Sequence, residues 1–367
     1  MTRHLPAGRS HGRTLALVLA LVLMVALVAV GAYVSRDGNV DTSSPKDDRT
    51  TLQDDNRAGN HAPTQPAPSN AAAPVSVDRV VVVSVDGLAS YAVTSHLMPE
   101  LTALLRSGAG TRNARTSEQT VTLPNHTSMV TGRPIETALN GHGVDWNVDL
   151  KDRRVRRGVA SIFSHLADTG LKSAIFVGKS KFSLWVRSWP GTIRPYVVFD
   201  GTEPLVTAAI DDLENQQRAL TFVHVAAPDA AGHADGWGSP SYKEAVRGAD
   251  EAIGQIRDAI DGTSTVLIVT ADHGGIRGTT NHADFTDPDA YTIPFIVWGP
   301  GVAHGGLYEL NEDYADPGTM PPTYDPPQMV RNGAVANLVA DLLGLPPVPD
   351  SSINFQQDLD VLQSSQQ

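Results

Sequence analysis

Six side chains in this sequence are of the types that hold divalent cations, and each stands beside an apolar, β-branched run. Asp86 follows the run at 80–85, in Val85-Asp86-Gly87. Asp229 and His233 follow the run at 220–226, in Pro228-Asp229-Ala230-Ala231-Gly232-His233. Asp272 and His273 follow the run at 265–270 and precede Gly274-Gly275. His282 comes nine residues after His273, ahead of the run at 293–298. Oxygen and nitrogen donors without sulfur suit zinc, manganese or other divalent ions. Taken singly, an Asp after a strand reads as a helix cap and a loop His as a solvated one. Six of them at equivalent strand ends form a pattern that neither reading explains.

The elements that must bring them together are strands alternating with helices. The apolar runs at 80–85, 174–177, 220–226, 265–270 and 293–298 suit strands buried on both faces. Helical patterns fall at 98–106, 159–167, 205–213, 242–260 and 334–343. The alternation predicts an α/β fold with a mainly parallel sheet sandwiched by helices. In such a sheet ligands bind beyond the carboxyl ends of the strands, where the Asp and His residues fall. The expected catalytic domain is 76–349, and the Gln- and Ser-rich tail at 350–367 is expected to be loose.

The chain has 367 residues, no cysteine and a formal charge of −12. The missing cysteines exclude thiolate metal sites, Fe–S clusters, a cysteine nucleophile and a sulfatase that matures a cysteine to formylglycine. The acidic balance argues against a nucleic-acid-binding surface. Residues 1–14 are a basic flank containing Arg3, Arg9 and Arg13. The uncharged run at 15–34 would cover about 30 Å as a helix, enough to cross a bilayer. It reads as a single-pass signal anchor at the cell membrane, with the basic flank cytoplasmic and the bulk of the chain outside. Val30 and Ala32 also allow cleavage before Tyr33, which would make the protein secreted. Residues 35–75 are rich in Asp, Asn, Pro, Ala and Thr and read as a disordered linker.

The stretch Thr120-Val121-Thr122-Leu123-Pro124-Asn125-His126-Thr127-Ser128-Met129-Val130-Thr131-Gly132 resembles the nucleophile motif of the nucleotide pyrophosphatase/phosphodiesterase family, within the alkaline phosphatase superfamily. The resemblance extends over most of 78–345. It implies an alkaline-phosphatase-like fold and a phosphoester hydrolase with Thr122 as nucleophile. Thr120, Thr127 and Ser128 are neighbouring hydroxyls, and Asn125 and His126 are assigned to fixing the turn. His142-Gly143-Val144-Asp145-Trp146-Asn147 resembles the family segment that ends in an Asn donating to a phosphoryl oxygen, a role that would fall to Asn147. Two divalent ions, zinc by resemblance, would be held by Asp229, His233 and His282 and by Asp86, Asp272, His273 and the Thr122 oxygen. The gap between His273 and His282 is shorter than in familiar members, and the stretch from Thr122 to His142 is longer. Both departures fall where substrate-contacting loops would lie.

The resemblance favours a phosphodiester or pyrophosphate substrate, a small nucleotide-like or other phosphoester. Lys179 and Lys181, after the run at 174–177, pull towards a phosphomonoesterase, because related monoesterases place cations on the phosphate there. A sulfate or phosphonate ester hydrolase and a non-catalytic metal-binding relative are the remaining readings. Phe182, Trp185 and Tyr196 are either stacking or core residues, and Ser188-Trp189-Pro190-Gly191 is either a family segment or a surface turn. The sequence leaves the oligomeric state open.

Overall fold

A computed structural model describes residues 76–363. The basic flank, the anchor at 15–34 and the linker up to residue 75 lie outside the described residues. Among the described residues no helix is long and apolar enough to cross a membrane.

Eight strands form one mixed sheet in the order β4-β3-β5-β1-β6-β7-β2-β8. They are β1 Arg79–Val85, β2 Ala109–Arg115, β3 Ser173–Val177, β4 Ile193–Val198, β5 Leu220–Val225, β6 Thr265–Thr270, β7 Thr292–Trp298 and β8 Gly305–Gly306. β1 lies between β5 and β6 and is parallel to both, with Ser84 level with His224 and Thr270. Both faces of β1 are covered, as its unbroken valine run requires. β3 and β4 continue the parallel half.

The sheet is mainly parallel, as expected, with one reversed strand in its other half. β7 is antiparallel to β6 and to β2. β7 therefore starts at the carboxyl edge of β6, and β2 ends there. The reversed β7 brings the loop before it, with His282, to the edge where Asp86 and Asp272 stand, and the end of β2 brings Thr120 and the start of the following helix, Thr122, to the same edge.

The helices are α1 Pro99–Ser107, α2 Thr122–Thr131, α3 Ile162–Asp168, α4 Ser183–Ser188, α5 Thr202–Asn215, α6 Ala227–Asp235, α7 Pro240–Ile260, α8 Pro288–Tyr291, α9 Leu307–Leu310 and α10 Val335–Leu342. α7 packs with α1, α5 and α6, and α10 packs with α2 and α3. α7 buries Tyr242, Val246, Ala249, Ile253, Ile256 and Ile260, a three-and-four spacing that makes one apolar stripe. Ser239 caps its start by accepting from the Tyr242 N–H.

The tail expected to be loose is docked over its described part. Ile353, Leu359 and Val361 are buried, and Leu362 bridges to Val302. Three apolar side chains among the polar ones suffice to seat it. Phe182 and Trp185 are fully buried and belong to the core, while the half-buried Tyr196 donates its hydroxyl to the Ser180 carbonyl.

α2 is buried along its whole length despite its Thr, Ser, Asn and His content. Its polar groups are satisfied locally: Thr127 Oγ1 donates to the Leu123 carbonyl, and Thr131 Oγ1 to that of Thr127. Ser128 Oγ meets His142 Nε2 at 3.0 Å, while His142 Nδ1 accepts from the Val144 N–H. Burial pushes the His142 pKa down to about 3. An unfolded His titrates near ~6.5. The unfolded chain therefore takes up the proton first, and stability is lost as pH falls from about 6.5 towards 3. His142→Gln is expected to flatten the stability-versus-pH slope in this window by up to about 1.4 kcal/mol per pH unit. Denaturant unfolding of the two proteins across the window measures it.

Candidate metal centre and nucleophile

Asp86 is the residue after β1, and its N–H donates to the Val225 carbonyl at the end of β5. The backbone must then turn sharply. Gly87 does so at φ +70°, with a Cβ there falling 2.9 Å from the Asp229 Cα. Only glycine meets both demands. α6 carries Asp229 and His233 four residues apart, on one face. Asp272 and His273 follow β6, and His282 sits in the loop before β7.

These residues converge into two adjoining sets. In the first, Asp229 Oδ1 lies 3.5 Å from His233 Nε2 and 3.9 Å from His282 Nε2, and the two imidazole nitrogens are 3.1 Å apart. In the second, His273 Nε2 lies 3.5 Å from Asp86 Oδ1, 3.3 Å from Asp272 Oδ2 and 3.4 Å from Thr122 Oγ1. His273 Nε2 is also 3.9 Å from Asp229 Oδ1, so it stands on the boundary between the sets. Asp229, His273 and His282 form one group able to hold an ion, and Asp86, Asp272 and His273 another.

The donor set fits divalent cations on two observations. Asp86 Oδ1, Asp229 Oδ1 and Asp272 Oδ2 are buried and have no hydrogen-bond partner, one orphan oxygen on each carboxylate. Such oxygens are costly to bury without a cation. His273 Nδ1 and His282 Nδ1 face the carbonyls of Gly274 and Thr120 at 2.8 and 2.6 Å. Each Nδ1 thus carries the proton and donates, which leaves both Nε2 lone pairs aimed inward.

Lys179, expected to face the substrate, lies against two of the candidate metal ligands. Its Nζ lies 2.6 Å from Asp86 Oδ2 and 2.5 Å from Asp229 Oδ2. Burial works against its charge, but the two carboxylates outweigh burial and raise its pKa. The strand end that carries it lies beside two buried anions, so the ammonium bridges them. Burial opposes ionisation of Asp86, yet Lys179 and then His224 hold its pKa well below the usual range. Asp272 moves the other way, raised by burial and by the charges of Asp86 and Asp229. His282 is lowered to about 4 by burial and then by His273, and is neutral at neutral pH.

Lys181 and Asn147 meet near the start of α2. Asn147 Oδ1 accepts from the Leu123 N–H at 3.1 Å and from Lys181 Nζ at 2.9 Å. With the oxygen so engaged, the Nδ2 end of Asn147 is the one left to donate. Burial, then the neighbouring Lys179, lowers the Lys181 pKa.

Several supporting residues escaped the sequence reading. His224, inside β5, donates from Nε2 to Asp86 Oδ2 at 2.9 Å and accepts from the Gly178 N–H at Nδ1. The Gly87 carbonyl accepts from Trp237 Nε1 and from the Tyr242 hydroxyl, each at 3.0 Å. The Trp237 indole lies so close to Gly275 that a Cβ there would fall 2.1 Å from it, which accounts for the second glycine after His273. Asn125 was already assigned to fixing the turn: its Oδ1 accepts from the Ser117 N–H and from Asn332 Nδ2, which escaped notice, and its Nδ2 donates to the Val121 carbonyl. Only Gly-Gly after His273 was a signal visible in sequence; His224 was hidden in an ordinary strand pattern.

The mixed sheet of this α/β protein thus carries a buried Asp/His cluster at one edge. The model of the type I phosphodiesterase/nucleotide pyrophosphatase family matches residues 80–292, more than half of the sequence, and the chain belongs to that family. Ectonucleotide pyrophosphatase/phosphodiesterase family member 3 of Mus musculus is 27% identical over 241 residues, which are 60% of this chain and 28% of the relative. GPI ethanolamine phosphate transferase 1 of Chaetomium globosum is 31% identical over 137 residues, 35% of this chain and 14% of the relative. The chain thus spans less than a third of the length of these relatives. An inactive form of murine ectonucleotide pyrophosphatase/phosphodiesterase 5 in complex with AMP shares the fold, with a TM-score of 0.57 at 15% identity, covering 78% of this chain and all of that one.

The ion pairs of Lys179 yield a stability prediction. Lys179→Met leaves Asp86 and Asp229 facing one another without a counter-charge. In chelator-treated protein this is expected to cost about 3 kcal/mol. With divalent cations present the loss is expected to shrink, because the cations take over the neutralisation. Denaturant unfolding with and without chelator measures both, and an equal loss in the two conditions contradicts the cation site.

Proposed function

We propose that the chain is a phosphoester hydrolase that acts on phosphodiesters or pyrophosphates with Thr122 as nucleophile. The observation that carries this reading is Thr122 Oγ1 at 3.4 Å from His273 Nε2, beside three buried carboxylates that each keep an orphan oxygen. Two divalent ions, zinc by the family resemblance, would be held by Asp229, His233 and His282 and by Asp86, Asp272, His273 and Thr122. Bound there, they would lower the pKa of the threonine hydroxyl and neutralise charge on the phosphoryl oxygens.

The remaining steps use the chain's own groups. Thr122 Oγ1 gives up its proton to solvent water and attacks phosphorus, forming an O–P bond as the leaving-group oxygen departs with the electrons of its own P–O bond and takes a proton back from solvent. Asn147 Nδ2 donates to a non-bridging oxygen during that step, held in place by Lys181 and the Leu123 N–H. Water then cleaves the phosphothreonine and restores the hydroxyl. The three carboxylates against Lys179 leave a local charge of about −2, which two divalent cations turn to about +2. That reversal attracts an anionic substrate to an acidic protein.

AMP is the molecule in the murine structure, which supports a nucleotide-like substrate here. The likeness to a GPI ethanolamine phosphate transferase supports phosphoester chemistry in general. Phosphomonoester hydrolysis is the second reading, favoured by the cationic Lys181 at 2.9 Å from Asn147. The run at 15–34 supports placing the domain outside the cell membrane on an anchor, or free once the signal is cleaved.

Thr122→Ala is expected to lower turnover by about 10^3-fold or more, with metal content unchanged. Bis-p-nitrophenyl phosphate and p-nitrophenyl phosphate assayed side by side measure it, together with metal analysis. Faster diester cleavage supports the phosphodiesterase reading. Residual turnover within a few-fold of wild type contradicts the covalent step.

A further inference from the structure

The loop that carries Asn147 runs on into a strongly basic rim. Lys151, Arg153, Arg154, Arg156 and Arg157 fall within seven residues of a chain whose net charge is −12. All five are exposed. Among the described residues none of them forms an ion pair. The acids of the same segment are Asp145, Asp149 and Asp152, and Asp149 is taken up by Arg187 at 3.1 Å and by Ser183 Oγ. Two aliphatic side chains stand out beside the cations: Val148 is 57% exposed and Leu150 38%.

The rim is built rather than slack. Val155 and Val159 are buried beneath it. The Arg156 N–H donates to the His142 carbonyl, and the Val155 N–H donates to Ser188 Oγ. The Arg153 guanidinium lies 5.3 Å from the centre of the Trp146 ring. The fold therefore spends packing contacts on holding cations and aliphatic groups in water at the edge of the site.

Cations that follow directly on two exposed aliphatic side chains, Val148 and Leu150, match an anionic bilayer surface. The headgroups attract the cations within a Debye length, and the aliphatic groups gain from the headgroup boundary. A soluble polyanion would satisfy the cations and leave Val148 and Leu150 in water. The apolar run at 15–34 also supplies a reason for the chain to be near a membrane. We propose that residues 148–157 dock on an anionic phospholipid surface and turn the Asn147 side of the site towards it. This inference does not depend on the chemistry assigned to Thr122.

The chain has no cysteine, so Val148→Cys introduces a single thiol for an environment-sensitive fluorophore. The full chain so labelled is reconstituted with phosphatidylcholine vesicles, with or without about 30% phosphatidylglycerol. The expected result is a blue shift with phosphatidylglycerol only, abolished at ~0.5 M salt and reduced by Lys151→Glu, Arg154→Glu and Arg157→Glu together. A label at Gln217→Cys is expected not to respond. Gln217 is exposed and close to Ala219, whose carbonyl bonds the Val80 N–H at the opposite edge of the sheet. Should the triple variant not fold, the salt series and the Gln217 label still decide. No shift with phosphatidylglycerol, or an equal shift at both labels, overturns the proposal. So does a shift with heparin and none with vesicles, which would assign the rim to a soluble polyanion.

Discussion

Three carboxylates buried within a few ångströms of one another are the constraint on which the site depends. Asp86, Asp229 and Asp272 each commit one oxygen to the protein and leave the other without a partner. Burying three such charges is unfavourable unless cations offset them. Lys179 offsets one, by bridging Asp86 and Asp229. The opposite pKa shifts of Asp86 and Asp272 are the response of the remaining charge: one ionises against the lysine, and the other is driven towards its neutral form. A site so disposed is primed for further positive charge.

The surrounding structure holds that arrangement rigid. The Asp272 Oδ1 atom accepts the N–H groups of Gly87 and His273, so the β1 and β6 exits are tied to each other. The Gly87 carbonyl is clamped by Trp237 and Tyr242. His282 is pinned to the loop before α2 through the Thr120 carbonyl, and α2 is stapled to the Asn147 segment through Leu123 and through Ser128 with His142. Groups locked by their own hydrogen bonds lose little freedom when a ligand arrives, which is what preorganisation requires.

Much of this was legible in the residues. The β-branched-rich runs at β1 and β6 and the apolar runs at β3, β5 and β7 identified those strands, and acids at the ends of β1, β5 and β6 marked the edge. The misses have physical causes. β2 reads Ala-Gly-Thr-Arg-Asn-Ala-Arg, and its buried Arg115 is satisfied by the carbonyls of Asn113, Ala114, Gly318 and Met320 rather than signalled by hydrophobicity. β4 carries Pro195, which a sheet tolerates at its edge, where β4 lies. Strand direction is not written in hydrophobic periodicity, so the antiparallel β7 was invisible. Lys179 was read correctly as a cation on the carboxyl edge, but its partners are set by depth, which sequence spacing does not carry.

The proposed function rests on two cations occupying the cradle formed by these residues. Anomalous diffraction at the zinc edge, from crystals of zinc-loaded protein, tests it most directly. Two peaks are expected, one bounded by Asp229, His233 and His282 and the other by Asp86, Asp272 and His273, with Thr122 Oγ1 against the second. No peak there, with Lys179 still bridging Asp86 and Asp229 at saturating zinc, would contradict it.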